Sequence, residues 1–345
     1  MRISSIECGR VIAMMAVMTI HISPFNNVLD PTLWRDPFYF WLGGTLNQLC
    51  RFAVPLFFLC AGYFLQPKLA GGHPLSVALR YCRPLLLLWL VWSLLYLLIP
   101  FNPLAAAEQG YLATLQQQWP LQIGDRLNVW LVGGMVHLWF LPALMLAVML
   151  TALCHGLGRP ALALWLGTFL YLLALIGGSY AKPLLGAEWP LLTRNGPLFS
   201  LVFVALGVWL RQGHWQPDAG TGWLLLTGGI LLYALEAWAL LEFGDVPLNR
   251  HDFLLGSLPW GVGLFALLLA HPQLGAGSWL ERLSPKVLGL YCLHMLPAIW
   301  LFVFGPQGKL PWWELLKLPL LFAASLLLYR ILSTTPMTRW LLRPH

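Results

Sequence analysis

Charged side chains are scarce in this sequence. Only 10% of its 345 residues are Asp, Glu, Lys or Arg, whereas a soluble domain has roughly 25%. With 59% hydrophobic residues and a mean hydropathy of +0.72, the chain has too little polar surface to cover itself in water. The composition therefore excludes a soluble globular fold. It also excludes a nucleic-acid-binding domain, because the 20 Lys and Arg are scattered over short loops and form no basic cluster.

The six cysteines lack the spacing of a metal site or a redox pair. Most lie in apolar segments, where we expect them to be small buried side chains. We predict no metal site and no permanently bound cofactor. The chain also has no visible internal repeat, heptad run or low-complexity tract.

Long apolar runs make up most of the sequence. A membrane-spanning helix needs about 20 largely apolar residues. About ten candidate runs lie near residues 5–23, 47–65, 84–100, 138–156, 160–178, 197–211, 222–242, 253–271, 287–304 and 314–332. We predict an all-α, polytopic bundle of about ten transmembrane helices, forming a single integral membrane domain over residues 1–345. A polar connection at 101–137 is long enough to shape an outward-facing cavity.

The distribution of cations predicts the orientation of this bundle. With the N-terminus in the cytoplasm, twelve of the 20 Lys and Arg fall on the cytoplasmic side and eight on the other. The positive-inside tendency then favours both termini in the cytoplasm. The eight cations predicted on the outer side are Arg35, Arg51, Arg126, Lys182, Arg194, Arg250, Lys309 and Lys317.

The first apolar run carries the residues best suited to chemistry. Ser4 and Glu7 have capping-box spacing, which predicts a helix start. Arg10 and His21 then lie about three turns apart on nearly one face, separated by roughly 16 Å. An ionisable residue inside a bilayer by default marks a functional site or a wet interior. Two interpretations stay open, because Arg10 can equally snorkel to lipid phosphates and His21 can bond a carbonyl near the helix end.

Four ordered motifs give the sequence a family likeness. The first is Glu7 and Arg10 followed by "VIAMMAVMTIH", which ends at His21. The others are "RFAVPLFFLCAGYFL" from Arg51, "HLWFLPALM" at 137–145 and "LGLYCLHM" at 288–295. The pattern resembles the acyltransferase-3 family of multi-pass membrane acyltransferases over most of the chain. One departure is Ala61, where that family commonly has Ser.

The resemblance implies transfer of an acyl group, usually acetyl from acetyl-CoA as co-substrate, to a hydroxyl of a cell-envelope glycan or lipid-linked saccharide. It implies a bacterial inner-membrane location, with acyl-CoA, the saccharide acceptor and membrane lipids as partners and without nucleic acid. His21 is then the general base, and the donor-binding candidates are Arg10, Glu7, Tyr291 and His294. The acceptor-binding candidates are Arg51, His137 and Trp139.

Several of these candidates also have a structural interpretation, which stays open. Arg51 and Trp139 can anchor helices at the interface, and Tyr291 and His294 can form interhelical hydrogen bonds. A different function is also open, namely a proton-coupled transporter or exporter of a polar metabolite in which His21 and Glu236 relay protons. A structural membrane protein is the third alternative.

Overall fold

A computed structural model describes residues 3–25, 36–187, 189–213, 217–306 and 308–343. Within these residues every regular element is a helix, as the apolar runs predict. Arg35, one of the cations predicted on the outer side, lies outside them. In chain order the α-helices are α1 (Ser4–Ile22), α2 (Pro37–Leu49), α3 (Ala53–Ala70), α4 (Pro74–Leu98), α5 (Pro103–Gln109), α6 (Tyr111–Ile123), α7 (Val129–Val132), α8 (Phe140–Gly156), α9 (Pro160–Gly177), α10 (Ala181–Leu185), α11 (Pro197–Arg211), α12 (Ala219–Gly244), α13 (Ser257–Ala270), α14 (Trp279–Leu283), α15 (Val287–Leu293), α16 (Met295–Phe304), α17 (Pro311–Ser333) and α18 (Pro336–Arg339). Short 3₁₀ turns occur at Cys50–Phe52, Val136–Trp139, Leu248–Arg250 and Ser284–Lys286.

Seven helical stretches in the described residues are long and apolar enough to cross a membrane. An eighth candidate is the pair Trp279–Leu293 and Met295–Phe304, which meet at a bend of 57°. Two further apolar helices, α11 and α13, are shorter. The seven stretches are Ser4–Ile22, Pro37–Ala70, Pro74–Leu98, Val136–Gly156, Pro160–Gly177, Ala219–Gly244 and Pro311–Ser333.

Each predicted span falls on one of these helices, so the chain is a multi-pass membrane protein. The total of about ten spans stays a prediction, as does the cytoplasmic position of both termini. Helix α2 is the main addition to the predicted elements. It is continuous with α3 through the 3₁₀ turn at Cys50–Phe52.

The contacts divide the chain into two compact units. The first unit consists of residues 1–13, 51–86 and 139–284, and the second of residues 14–50, 87–138 and 285–345. Helix α1 contributes to both. The single domain over 1–345 therefore stays a prediction.

In the first unit, helix α11 is buried along most of its length against α3, α8 and α9. Close approach depends on glycine, since a Cβ on Gly62 of α3 would lie 2.0 Å from the Val204 carbonyl oxygen of α11. A Cβ on Gly207 would likewise lie 2.2 Å from the Leu59 carbonyl oxygen. Small residues of this kind let helix backbones pack closely in membranes. The motif beginning at Arg51 is thus partly a packing motif.

In the second unit, the polar connection after α4 folds into helices α5, α6 and α7. Its glutamines bind the carbonyls that the end of α4 leaves unpaired. Gln118 Nε2 donates to the Tyr96 and Ile99 carbonyls at 3.2 and 3.1 Å. Gln122 Nε2 donates to the Tyr96 carbonyl at 3.0 Å and to the Gly134 carbonyl at 2.9 Å. These bonds tie Tyr96 to the segment that leads into His137.

Candidate active site

Three histidines converge in the second unit. His21 lies in the last turn of α1, His137 in the 3₁₀ turn Val136–Trp139, and His294 between α15 and α16. The ring centroid of His21 is 6.1 Å from that of His137 and 5.3 Å from that of His294. His137 and His294 are 5.0 Å apart. We call these three residues the histidine cluster.

His294 owes its position to the bend between α15 and α16. Pro297 has no N–H to offer the carbonyl of Leu293, four residues earlier, and a missing bond of this kind favours a kink at that turn. The carbonyl of Cys292, in the same turn, accepts a hydrogen bond from the Tyr96 hydroxyl at 2.8 Å and lies 3.2 Å from His137 Nε2. The bend therefore helps to assemble the histidine cluster.

The hydrogen bonds determine which ring nitrogens carry protons in the neutral forms. His137 Nε2 and His294 Nδ1 each face a backbone carbonyl, of Cys292 at 3.2 Å and of Tyr291 at 2.7 Å. A carbonyl only accepts, so these two nitrogens are the N–H donors. The remaining nitrogens, His137 Nδ1 and His294 Nε2, are then acceptors. Both are buried and have no hydrogen-bond partner among the residues that the structure describes.

Two tyrosines fix the cluster from its sides. The Tyr291 hydroxyl donates to the His137 carbonyl, and its ring centroid is 5.4 Å from that of His137. The ring centroid of Tyr96 lies 5.2 Å from that of His137, and the two rings are arranged edge to face. The structure thus brings Tyr291 and His294, predicted on the donor side, together with His137, predicted on the acceptor side. Tyr291 also makes the interhelical hydrogen bond that its structural interpretation anticipated.

The end of α1 is held by a buried ion pair on α17. The Phe25 N–H donates to Glu314 Oε2 at 3.0 Å, and Lys317 Nζ lies 2.5 Å from Glu314 Oε1. The two charged side chains are only 3% and 5% exposed. Phe25 has a positive φ of 57°, a strained conformation for a bulky residue. The Glu314 carboxylate therefore stabilises the turn four residues after His21.

Glu7 and Arg10 belong to the first unit. Arg10 Nη1 lies 3.5 Å from Glu7 Oε2, and the Ser284 hydroxyl donates to the same carboxylate. The predicted capping box is wrong. The Ser4 hydroxyl donates to Glu281 Oε1 at 2.8 Å, and the Glu7 N–H donates to the Ile3 carbonyl. Helix α1 nevertheless begins at the predicted place.

Arg51 pairs with a carboxylate that the sequence did not predict, Asp252, and Trp139 lies beside a second arginine that pairs with the same carboxylate. Arg51 Nη1 lies 2.9 Å from Asp252 Oδ1, and Arg194 Nη1 lies 2.6 Å from Asp252 Oδ2. Arg194 also lies 5.7 Å from the Trp139 ring centroid. Burial raises the pKa of Asp252, but Arg194 and Arg51 outweigh it and hold the pKa below its usual range. Trp139 is therefore grouped with Arg51 in the first unit and not with His137.

His251, beside Asp252, is completely buried. Neither ring nitrogen has a hydrogen-bond partner in the part of the chain that the structure describes. Burial, and secondarily the Arg51 charge, lower the pKa of His251 to about 4. Among the described residues, no group of three or more His, Cys, Asp or Glu has an arrangement that could hold a metal ion.

The family model described as an acyltransferase domain, acyltransferase-3, matches residues 3–332. The chain belongs to the acyltransferase-3 family. This acyltransferase-3 protein is 31% identical over 314 residues to a serine/alanine racemase of Enterococcus gallinarum. It is 27% identical over 321 residues to an amino-acid racemase of Enterococcus faecalis. These alignments include 85% and 86% of this chain but only 40% and 41% of those proteins. No solved structure matches the acyltransferase-3 chain.

Proposed function

We propose that this acyltransferase-3 protein is an acyl-CoA-dependent O-acyltransferase of the bacterial inner membrane. It transfers an acyl group, acetyl in the first instance, to a hydroxyl of a cell-envelope glycan or lipid-linked saccharide. The observation that carries the proposal is the histidine cluster. It holds two buried acceptor nitrogens without partners among the described residues, and a hydroxyl is a donor that can satisfy such a nitrogen.

His21 is the general base in this proposal. Histidine suits proton transfer at neutral pH, because the unperturbed pKa of an imidazole side chain is near 6.5. The acceptor oxygen bonds to the acyl carbon of the thioester, the C–S bond breaks, and His21 takes the hydroxyl proton. The CoA thiolate then receives that proton from the imidazolium. The products are an O-acyl ester and free CoA, and His21 is neutral again.

His137 and His294 act as positioning residues for this step. Each donates one N–H to a backbone carbonyl, so its other nitrogen is an acceptor while the ring stays neutral. A neutral imidazole 5–6 Å from His21 also adds no positive charge that would oppose the protonation of His21.

The predicted donor and acceptor contacts remain part of the proposal. Arg10, oriented by Glu7, binds the CoA phosphates, since a planar guanidinium can bind phosphate through two N–H groups. Arg51 and Trp139 contribute to acceptor binding. Tyr291 supports the site through the His137 carbonyl.

The contacts of Glu236 count against the transporter alternative. Its carboxylate accepts from the Tyr180 hydroxyl and from the Leu255 and Gly256 N–H groups at 3.2 and 2.8 Å. These bonds connect α12 to the beginning of α13, which is a structural role. A carboxylate fixed by two backbone N–H groups is poorly suited to carry protons through the membrane.

The racemase names of the two relatives describe proteins more than twice as long as the aligned region. We therefore do not propose racemisation as the leading function. It is an outcome that the decisive experiment distinguishes, because racemisation of serine or alanine releases no CoA.

The decisive experiment uses the purified chain in vesicles loaded with an envelope-glycan extract. Acetyl-CoA is supplied, free thiol is measured, and acetylated glycans are identified by mass spectrometry. We expect acceptor-dependent CoA release that His21→Ala lowers by about 10²- to 10⁴-fold. His155→Ala is the matched control, since His155 lies on α8 and bonds the Thr151 carbonyl at 3.0 Å. Full transfer by His21→Ala, or D-serine formation without CoA release, would overturn the proposal.

A further inference from the structure

The histidine cluster has two acceptor nitrogens that call for donors from outside the cluster. These are His137 Nδ1 and His294 Nε2, in side chains that are only 1% and 0% exposed. Neither nitrogen has a hydrogen-bond partner among the described residues. A buried acceptor without a donor is costly, so native proteins rarely leave one unsatisfied. Two such acceptors in one cluster indicate a ligand that supplies the missing hydrogens.

The donors that surround these rings are already used. The Tyr96 hydroxyl donates to the Cys292 carbonyl at 2.8 Å, and the Tyr291 hydroxyl donates to the His137 carbonyl. The N–H groups of the two histidines face the carbonyls of Cys292 and Tyr291. All of these bonds end on backbone carbonyls. They fix the two rings and leave the two acceptor nitrogens for a ligand.

The number of hydrogens that a ligand can donate limits what it can be. A hydroxyl carries one hydrogen, so it satisfies one acceptor nitrogen. In the proposed function the hydrogen of the reacting hydroxyl goes to His21. The acceptor nitrogens of His137 and His294 therefore require two further hydroxyls. A simple alcohol has too few donors, whereas a saccharide ring with free hydroxyls has enough.

The spacing of the three rings suits neighbouring hydroxyls on one saccharide ring. The ring centroids of His137 and His294 are 5.0 Å apart, and that of His21 lies 6.1 and 5.3 Å from them. Each nitrogen belongs to its ring, so the two acceptor nitrogens are separated by a distance of the same order. A hydrogen bond of about 2.8 Å from each nitrogen brings the two hydroxyl oxygens within the reach of adjacent ring carbons.

We propose that His137 Nδ1 and His294 Nε2 each accept a hydrogen bond from a saccharide hydroxyl that neighbours the hydroxyl being acylated and does not itself react. This inference rests on the proposed function, because it assigns the reacting hydroxyl to His21. It narrows the substrate to saccharides with a run of neighbouring free hydroxyls. His137 and His294 are then the residues that select such saccharides.

Saccharide binding without any acyl donor tests the inference. The purified full chain in phosphatidylcholine vesicles is equilibrated with oligosaccharides released from the envelope-glycan extract, and the bound saccharides are quantified by mass spectrometry. A matched portion is first oxidised with periodate and reduced with borohydride, which opens rings between neighbouring free hydroxyls and leaves isolated hydroxyls intact. We expect the oxidised portion to bind at least about tenfold less. Equal binding of both portions would refute the inference.

Matched variants test the two nitrogens separately. His294→Gln and His137→Asn each keep a side-chain carbonyl oxygen as an acceptor, whereas His294→Leu and His137→Leu remove the acceptor. We expect the Leu variants to bind the untreated saccharides about tenfold less and the Gln and Asn variants to keep most of the binding. His155→Leu is the control, because His155 bonds the Thr151 carbonyl on α8. Thermal unfolding confirms that each variant is folded. Leu variants that bind as well as the unmodified chain would contradict the inference.

Selective N-acetylation of the oligosaccharides supplies the remaining comparison, since one amine carries several hydrogens and could satisfy both nitrogens alone. If N-acetylation abolished binding, the cluster would recognise an amine and the inference would be wrong. His21→Ala should bind the saccharides normally. Periodate-insensitive binding with intact acetyl transfer would overturn the inference alone. Periodate-sensitive binding without CoA release would overturn the proposed function alone.

Discussion

His251 allows a prediction whose magnitude follows from the structure. The side chain is completely buried, and burial together with the Arg51 charge lowers its pKa from 6.5 to about 4. Each unit of pKa difference corresponds to about 1.4 kcal/mol. Between pH 6.5 and pH 4 the unfolded chain binds a proton that the folded chain does not. Lowering the pH over this interval should therefore reduce the free energy of unfolding by roughly 3 kcal/mol through His251.

Replacing the imidazole with an apolar side chain of similar volume tests this reasoning. His251→Leu removes two buried nitrogens that lack partners among the described residues. At pH 7 the free energy of unfolding should therefore change by less than about 1.5 kcal/mol. The pH-dependent loss between 6.5 and 4 should shrink by roughly 3 kcal/mol relative to the unmodified chain.

The assay is denaturant unfolding in detergent micelles at several pH values from 7 to 4, followed by tryptophan fluorescence. His73→Leu is the control, because His73 is exposed and its loss should leave the pH dependence unchanged. The reasoning is refuted if His251→Leu and the unmodified chain lose stability in parallel as the pH falls. A loss of more than about 3 kcal/mol at pH 7 would also refute it, since it would mean that the imidazole makes bonds that stabilise the fold.

Two further predictions concern the supports of the histidine cluster. Glu314→Ala leaves Lys317 as an unpaired buried charge and should lower the free energy of unfolding by about 3–5 kcal/mol. Double substitution to Leu at both positions should recover the part of that loss that comes from the unpaired charge, leaving about 1–3 kcal/mol for the Phe25 N–H that has lost its acceptor. No recovery in the same denaturant assay would contradict the ion-pair interpretation. Gln118→Ala removes the hydrogen bond to the Ile99 carbonyl at the end of α4 and one of the two to the Tyr96 carbonyl, and it should cost about 1–3 kcal/mol. The neighbouring Gln117→Ala should cost little because Gln117 is exposed, and equal losses would show that capping by Gln118 is unimportant.

Apolar run length predicts the long helices of this chain well, because a bilayer imposes a minimum span that few other patterns satisfy. The short run at 197–211 is instructive. Helix α11 begins and ends at those same residues. It need not match the thickness of the bilayer by itself, because α3, α8 and α9 surround it. Helices α2 and α6 escape prediction because Gly, Thr, Asn and Gln interrupt their apolar pattern.

The sequence predicts only part of the candidate site. His21 stands out as an ionisable residue in an apolar run, and the motif at 288–295 identifies His294. His137 and Trp139 are neighbours in the sequence, but this does not place them in one site, because residues two apart on a helical turn do not share a face. His137 joins the histidine cluster, while Trp139 lies beside Arg194.

Tyr96 and Asp252 illustrate what sequence reasoning missed. Tyr96 is one of two tyrosines in a Leu-rich helix, and its role depends on a bend about 200 residues later. Asp252 is one acid in a loop, and its importance appears only when Arg51 and Arg194 converge on it. Such contacts join distant parts of the chain, so local spacing contains no signal for them.

The central claim is that the histidine cluster catalyses the transfer, and a double-mutant cycle on the rate of acetyl transfer tests it most directly. The variants are His21→Ala, His294→Phe and the double variant. Thermal unfolding confirms that each of them is folded. If the two histidines act in one proton-transfer unit, the double variant should be about as slow as His21→Ala alone, because residues that act together are not additive. Losses that multiply, or a His21→Ala variant as fast as the unmodified chain, would contradict the assignment of catalysis to the histidine cluster.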